Sequence, residues 1–257
     1  MNRIHELFKN KKSNILNIYF TAGYPALNDT VDIIRALGES KVDLVEIGMP
    51  YSDPLADGPT IQASSSVALK NGMSLEILFD QIAQARAISS MPFILMGYFN
   101  QVMQYGEEKF VQKAKNVGVD CLILPDLPVE EYEKHFHTMF KKHNMDIAFL
   151  ITPRTPMARI KHIDAVSNSF IYMVSSNAIT GAKAGIEKEQ KEYFKRIDEM
   201  KLKNPRLIGF GISNKETFSA ACESSSGAII GSAFINALKE EGSIDVKVKN
   251  FVRKIIG

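Results

Sequence analysis

Apolar residues fall along the chain in two alternating kinds of segment. Short runs rich in β-branched residues occupy positions 15–20, 44–48, 93–97, 121–124, 147–151, 170–175, 207–210 and 228–231. Most are continuous rather than alternating, the pattern of strands buried on both faces of a parallel sheet. Between them, residues 29–38, 107–117, 186–200 and 214–224 mix charges with apolar residues three and four apart. That spacing predicts helices with one buried face. The alternation predicts right-handed βαβ units. About eight such units in 257 residues favour closure into an α/β (β/α)8 TIM barrel over an open doubly wound sheet. Residues 1–8 carry the same helical spacing ahead of the first strand and predict an extra N-terminal helix covering the bottom of the barrel. No linker or low-complexity stretch interrupts the chain, so a single domain over 1–257 is expected.

Composition narrows the function classes. Lys and Arg total 31 against 29 Asp and Glu, a net charge of +2, which provides no broad field for nucleic acid or an anionic membrane. Cys121 and Cys222 are far apart and neither belongs to a CxxC pair, which argues against a disulfide framework or a zinc site. No apolar run approaches the roughly 20 residues of a membrane span. The first residues lack the apolar stretch and cleavage site of a signal peptide. A soluble cytoplasmic protein is the expectation. His135 and His137 are two apart and share no helix face, His143 and His162 are isolated and expected at the surface, and no metal site is expected. Cys121 reads as core and Cys222 as a helix residue without an activating partner.

A closed parallel barrel carries its active site beyond the C-terminal ends of the strands. After the second run the sequence reads Val45-Glu46-Ile47-Gly48-Met49-Pro50-Tyr51-Ser52-Asp53-Pro54-Leu55-Ala56-Asp57-Gly58-Pro59. Glu46 lies inside an apolar run, where burial raises a carboxyl pKa and suits it to acid–base work near neutral pH. A second carboxylate in the adjoining loop, which prolines stiffen, is expected to stay ionised and stabilise positive charge. The competing reading has Glu46 paired with a lysine inside the barrel and Asp53 and Asp57 capping helices or turns. Gly211 and the pair Gly231-Ser232 stand at the ends of the last two strands, where backbone amides and a short helix receive phosphate in barrels of this kind. The competing reading is tight turns. Neither GxxxxGK[ST] nor GxGxxG after the first strand is present, so neither a P-loop nor a Rossmann site is expected. Lys183 is a candidate for steering phosphate.

The segment from Glu46 to Gln62 closely resembles the signature of the tryptophan synthase alpha chain family. The resemblance extends through Tyr19-Phe20-Thr21-Ala22-Gly23-Tyr24-Pro25, Leu95-Met96-Gly97-Tyr98-Phe99-Asn100, Pro125-Asp126-Leu127-Pro128, Tyr172, Thr180-Gly181, Gly209-Phe210-Gly211-Ile212-Ser213 and Gly231-Ser232-Ala233. It implies retro-aldol cleavage of indole-3-glycerol phosphate to indole and glyceraldehyde 3-phosphate. On that resemblance Glu46 is the acid/base and Asp57 holds the indole N–H. Tyr172 lines the site near Glu46, Tyr19 and Tyr98 border the indole, and Thr180, Gly181, Gly211, Gly231 and Ser232 surround the phosphate or close over it. It also implies a beta-chain partner in an αββα heterotetramer, contacted through Pro50, Tyr51, Ser52, Asp53, Pro54 and Asn100. No cofactor is implied in this chain, pyridoxal phosphate belonging to the beta chain. Two positions depart from the family pattern: Ala178, where many members carry Gly, and Ser226, where an acidic residue is common. Two other readings remain, another phosphate-binding barrel isomerase and a non-catalytic activating subunit.

Overall fold

The computed structural model describes residues 2–175, 188–209 and 211–257. Its strands are β1 (Ile15–Thr21), β2 (Leu44–Gly48), β3 (Phe93–Met96), β4 (Cys121–Ile123), β5 (Asp146–Ile147), β6 (Phe149–Ile151), β7 (Ile171–Val174), β8 (Arg206–Gly209) and β9 (Gly227–Ile230). All pairs are parallel, in the order β5-β4-β3-β2-β1-β9-β8-β7-β6.

β5 and β6 are the two halves of the run expected as one strand. The first half pairs with β4 and the second with β7. Between them the Ala148 amide still donates to the Leu122 carbonyl at 3.0 Å. One tilted strand thus passes its hydrogen bonds from one neighbour to the other. This closes an eight-stranded (β/α)8 barrel, as the stagger of a closed sheet requires.

Helices Asp29–Glu39, Glu107–Asn116, Lys188–Glu199 and Lys215–Cys222 match the predicted ones. Others went unpredicted, among them Pro59–Lys70, Leu75–Ile88 and Met157–Val166. Pro59–Lys70 starts inside the carboxylate segment, with Pro59 in its first turn, where a missing N–H is harmless.

The N-terminal helix, Arg3–Asn10, lies at the bottom as expected, with Ile4 and Phe8 buried. Asn2 caps it by accepting from the Ile4 amide at 3.0 Å. The Asn2 amide also donates to the Asp120 carbonyl at 2.8 Å and to Asp146 Oδ2 at 2.7 Å. Arg3 pairs with Asp120 at 3.0 Å and His5 with Asp146 at 2.8 Å. Asp120 precedes β4 and Asp146 opens β5, so the helix is fastened to the N-terminal ends of the strands. The opposite end carries the loops.

Cys121 is buried and Cys222 half-buried, both as free thiols. His143 is not the exposed, isolated residue expected: its side chain is only 14% exposed and sits 3.1 Å from Glu108. The turn after the helix ending at Lys142 folds it back onto that carboxylate. Among the described residues no helix is long and apolar enough to cross a membrane, and no three His, Cys, Asp or Glu side chains gather as metal donors.

Candidate active site

β2 delivers Glu46 into the barrel at a register opposite Tyr19 on β1 and Ile94 on β3. Glu46 is 1% exposed. Its Oε2 accepts from Asn17 Nδ2 at 3.0 Å. Burial pushes its carboxyl from 4.5 up to about 8, the Asn17 donor opposes the rise, and the negative charge of Asp57 adds to it. Among the described residues no lysine pairs with Glu46, which counts against the competing structural reading for this residue.

Asp57 is brought back over the barrel mouth by the loop after β2. Its Oδ2 accepts from the Tyr98 hydroxyl at 3.1 Å. That hydroxyl accepts in turn from the Ala56 amide at 2.9 Å. The Asp57 carbonyl accepts from Gln62 Nε2 at 2.9 Å, which holds the loop against the first turn of Pro59–Lys70. Gly58, not Asp57, occupies the cap position of that helix, and no side chain caps it. Burial raises Asp57 to about 6, with Tyr98 opposing. Both carboxyls are raised, because the loop packs down and desolvates Asp57 too. Their order survives. Near pH 7 Glu46 is mostly protonated and Asp57 mostly ionised.

Three tyrosines complete the mouth. Tyr19 and Tyr172 are buried, and burial together with the charges of Glu46 and Asp57 holds both phenols well above their ordinary pKa. Two glycines make room for them. A Cβ on Gly48 would collide with the Tyr19 ring and hydroxyl, and one on Gly209 with those of Tyr172. Tyr98 stacks on Tyr51 with centroids 5.0 Å apart. Gly211 has φ +77°, a left-handed conformation, and Gly231 stands at the start of the short helix Ser232–Ala237 with Ser232 exposed. That helix leaves its first amides without partners inside the helix. Thr180, Gly181, Ala178 and Lys183 lie outside the described residues.

The residues expected at the partner face also come together. Asn100 Nδ2 donates to the Tyr51 hydroxyl at 3.0 Å, and Gln101 Nε2 to the Pro50 carbonyl at 2.9 Å. Pro50 and Pro54 are buried, Tyr51 is half-buried, and Ser52 and Asp53 are exposed, with Ser52 donating to Asp53 at 2.5 Å. Leu55 beside them is 86% exposed.

Two contributors carried no assigned role in the sequence reading. Asn17 is a lone polar residue in an apolar run. Asp126 accepts from the Phe99 amide at 2.8 and 3.1 Å, fixing the helix that follows Tyr98. In the sequence Asp126 stood out only as part of the Pro125-Asp126-Leu127-Pro128 segment of the family resemblance.

A closed parallel barrel with two buried carboxyls of different proton affinity at a tyrosine-lined mouth places the chain among the (β/α)8 barrel proteins. The family model described as "Tryptophan synthase alpha chain" matches residues 5–255. The chain is 56% identical over 242 residues to the tryptophan synthase alpha chain of Flavobacterium psychrophilum, covering 94% of this chain and 95% of that one. It is 54% identical over 255 residues to that of Flavobacterium johnsoniae, covering 99% and 100%. Among solved structures it is similar to a chain of the tryptophan synthase complex from Pyrococcus furiosus, with TM-score 0.87, 32% identity, and 96% and 99% coverage. A chain of the Mycobacterium tuberculosis tryptophan synthase (aminoacrylate-bound form) gives TM-score 0.86, 25% identity, and 99% and 98% coverage. The chain belongs to the tryptophan synthase alpha chain family, carbon–carbon lyases of tryptophan biosynthesis that cleave indole-3-glycerol phosphate to indole and glyceraldehyde 3-phosphate.

Proposed function

We propose that Glu46 and Asp57 carry this cleavage, with Glu46 as the acid/base and Asp57 as the electrostatic partner. The supporting observation is the pair of buried carboxyls with different proton affinities over one mouth, about 8 and about 6. Protonated Glu46 delivers its proton to indole C3. Ionised Asp57 accepts the indole N–H and stabilises the positive charge of the resulting iminium-like tautomer. The Glu46 carboxylate then takes the proton of the glycerol hydroxyl. The C–C bond breaks, its electron pair returns to the indole ring, and the hydroxyl carbon leaves as the aldehyde of glyceraldehyde 3-phosphate. Glu46 ends protonated, ready for the next turnover.

Tyr19, Tyr98 and Tyr172 border the indole in this reading. Gly211, Gly231 and Ser232 offer backbone and hydroxyl donors to the phosphate, together with Thr180 and Gly181. The chain acts as one domain over 1–257, in the cytoplasm, paired with a beta chain that carries pyridoxal phosphate. The face around Pro50, Tyr51, Ser52, Asp53, Pro54 and Asn100 receives that partner in an αββα assembly. Exposed Leu55, together with the Tyr51–Asn100 link between neighbouring loops, supports this.

The test is indole release from indole-3-glycerol phosphate by the purified chain, with and without a beta chain. Slow release alone and faster release with the partner is the expected result. No release by the parent under either condition, or parent-level release by Glu46→Gln, overturns the assignment.

A further inference from the structure

Asn17 lies on β1 on the same face as Tyr19 and is fully buried. Its Nδ2 donates to Glu46 Oε2 at 3.0 Å, while its Oδ1 is buried with no hydrogen-bond partner. A buried amide with one end unpaired is poor packing material, since an apolar side chain of the same shape avoids the desolvation of that oxygen. The carboxyl in front of it, however, exists in two forms during the proposed cycle. A carboxylate needs a donor, and a carboxylic acid also needs an acceptor. A primary amide presents both, and a half-turn about Cβ–Cγ exchanges them.

We infer that Asn17 is a positioning residue for Glu46, its amide holding the ionised carboxylate through Nδ2 and the protonated acid through Oδ1, so that the carboxyl stays aimed while its proton leaves and returns. The inference rests on the assignment of Glu46 as the acid/base. Among the described residues, the titratable groups that share charge interactions with Glu46 are Asp57, Tyr19, Tyr172 and Cys121. None of these is cationic, and among the described residues Asn17 is the donor to the ionised form. Its contribution opposes the rise caused by burial.

The test measures kcat and KM for indole-3-glycerol phosphate across pH 5.5–10 (roughly the span around both carboxyls), using the full-length parent, Asn17→Leu, Asn17→Asp and Glu46→Gln. Asn17→Leu keeps shape and removes both polar ends, and Asn17→Asp keeps shape and removes the amide donor. Both variants are expected to move the Glu46 midpoint upward by about one pH unit and to lower kcat about tenfold, with KM within about twofold. A purely structural Asn17 changes the unfolding midpoint and leaves the pH profile in place. Profiles of the folded variants that superimpose on the parent's overturn the inference, and if Asn17→Leu does not fold, Asn17→Asp decides alone. Glu46→Gln separates the two levels. Parent-level turnover there removes the Glu46 assignment and this inference with it, whereas an inactive Glu46→Gln beside unmoved Asn17 profiles removes only the role of Asn17.

Discussion

The Tyr98 hydroxyl donates to Asp57 Oδ2 across 3.1 Å, tying the loop after β2 to the start of the helix after β3. The same oxygen accepts from the Ala56 amide, so one phenol fixes both the carboxylate and the backbone beside it. Tyr98→Phe removes both contacts and keeps the ring stacked on Tyr51. Tyr98 opposes the rise of the Asp57 pKa, so its loss moves Asp57 further above about 6. The acid limb of kcat/KM is expected to shift to higher pH. The loss, about tenfold near pH 6.5, should shrink above pH 8 as Asp57 ionises regardless. An equal loss at every pH contradicts a role through Asp57 ionisation.

Glu46 and Asp57 also set how stability depends on pH. A carboxyl whose folded pKa lies above its unfolded value binds more protons in the native state, so its contribution to stability falls as pH rises between the two values. For Glu46 that window runs from 4.5 to about 8, and for Asp57 from 3.8 to about 6. Ionising Glu46 in the folded chain works against about 1.4 kcal/mol per pH unit crossed, as an upper bound. Glu46→Gln is therefore expected to match the parent in urea near pH 4.5 and to exceed it by a few kcal/mol at pH 8.5, while losing turnover. Parallel stability curves for parent and variant sink this expectation.

The strands and Glu46 were legible for the same reason. Strands buried on both faces read as unbroken apolar runs, and a carboxylate within one stands out. The helix Pro59–Lys70 escaped because it buries Ser64, Ser65 and Ala68, small residues that give no apolar stripe. The division between β5 and β6 escaped because only barrel closure decides where hydrogen bonds pass from β4 to β7. Asp57 was found, but its raised pKa depends on how far the loop folds down, which spacing does not encode. Asn17 was invisible as a site residue, since its partner is set by the register of β1 against β2.

The pairing of β7 with β8 sets a large side chain against a missing one. Tyr172 on β7 places its hydroxyl where a Cβ on Gly209 of β8 would stand. With Tyr172 buried there is little room to yield. Gly209→Ala is expected to destabilise by about 1–3 kcal/mol through overpacking and to lower kcat by displacing the phenol. Tyr172→Leu in the same chain relieves the collision, so a double-mutant cycle in urea should show coupling of about 1 kcal/mol or more. Additive effects count against the collision.

The N-terminal helix offers the contrasting case, in which stability changes and chemistry does not. Asn2 makes three hydrogen bonds at once, capping Ile4 while holding the Asp120 carbonyl and Asp146 at the bottom of β4 and β5. All three are buried, and Asp146 is already raised to about 6 by burial, with His5 opposing. Removing the Asn2 amide leaves a buried carbonyl and a buried carboxyl each short of a donor, at about 1–3 kcal/mol apiece, beside a lost cap of about 1 kcal/mol. Asn2→Ala is expected to lower unfolding stability by about 2–4 kcal/mol in urea once partial relaxation is allowed for. Because this clasp sits at the opposite end of the barrel from Glu46, kcat and KM measured well below the unfolding transition should match the parent within about twofold. A fall in kcat without a fall in stability would mean that the bottom of the barrel is coupled to the mouth through β4 and β5.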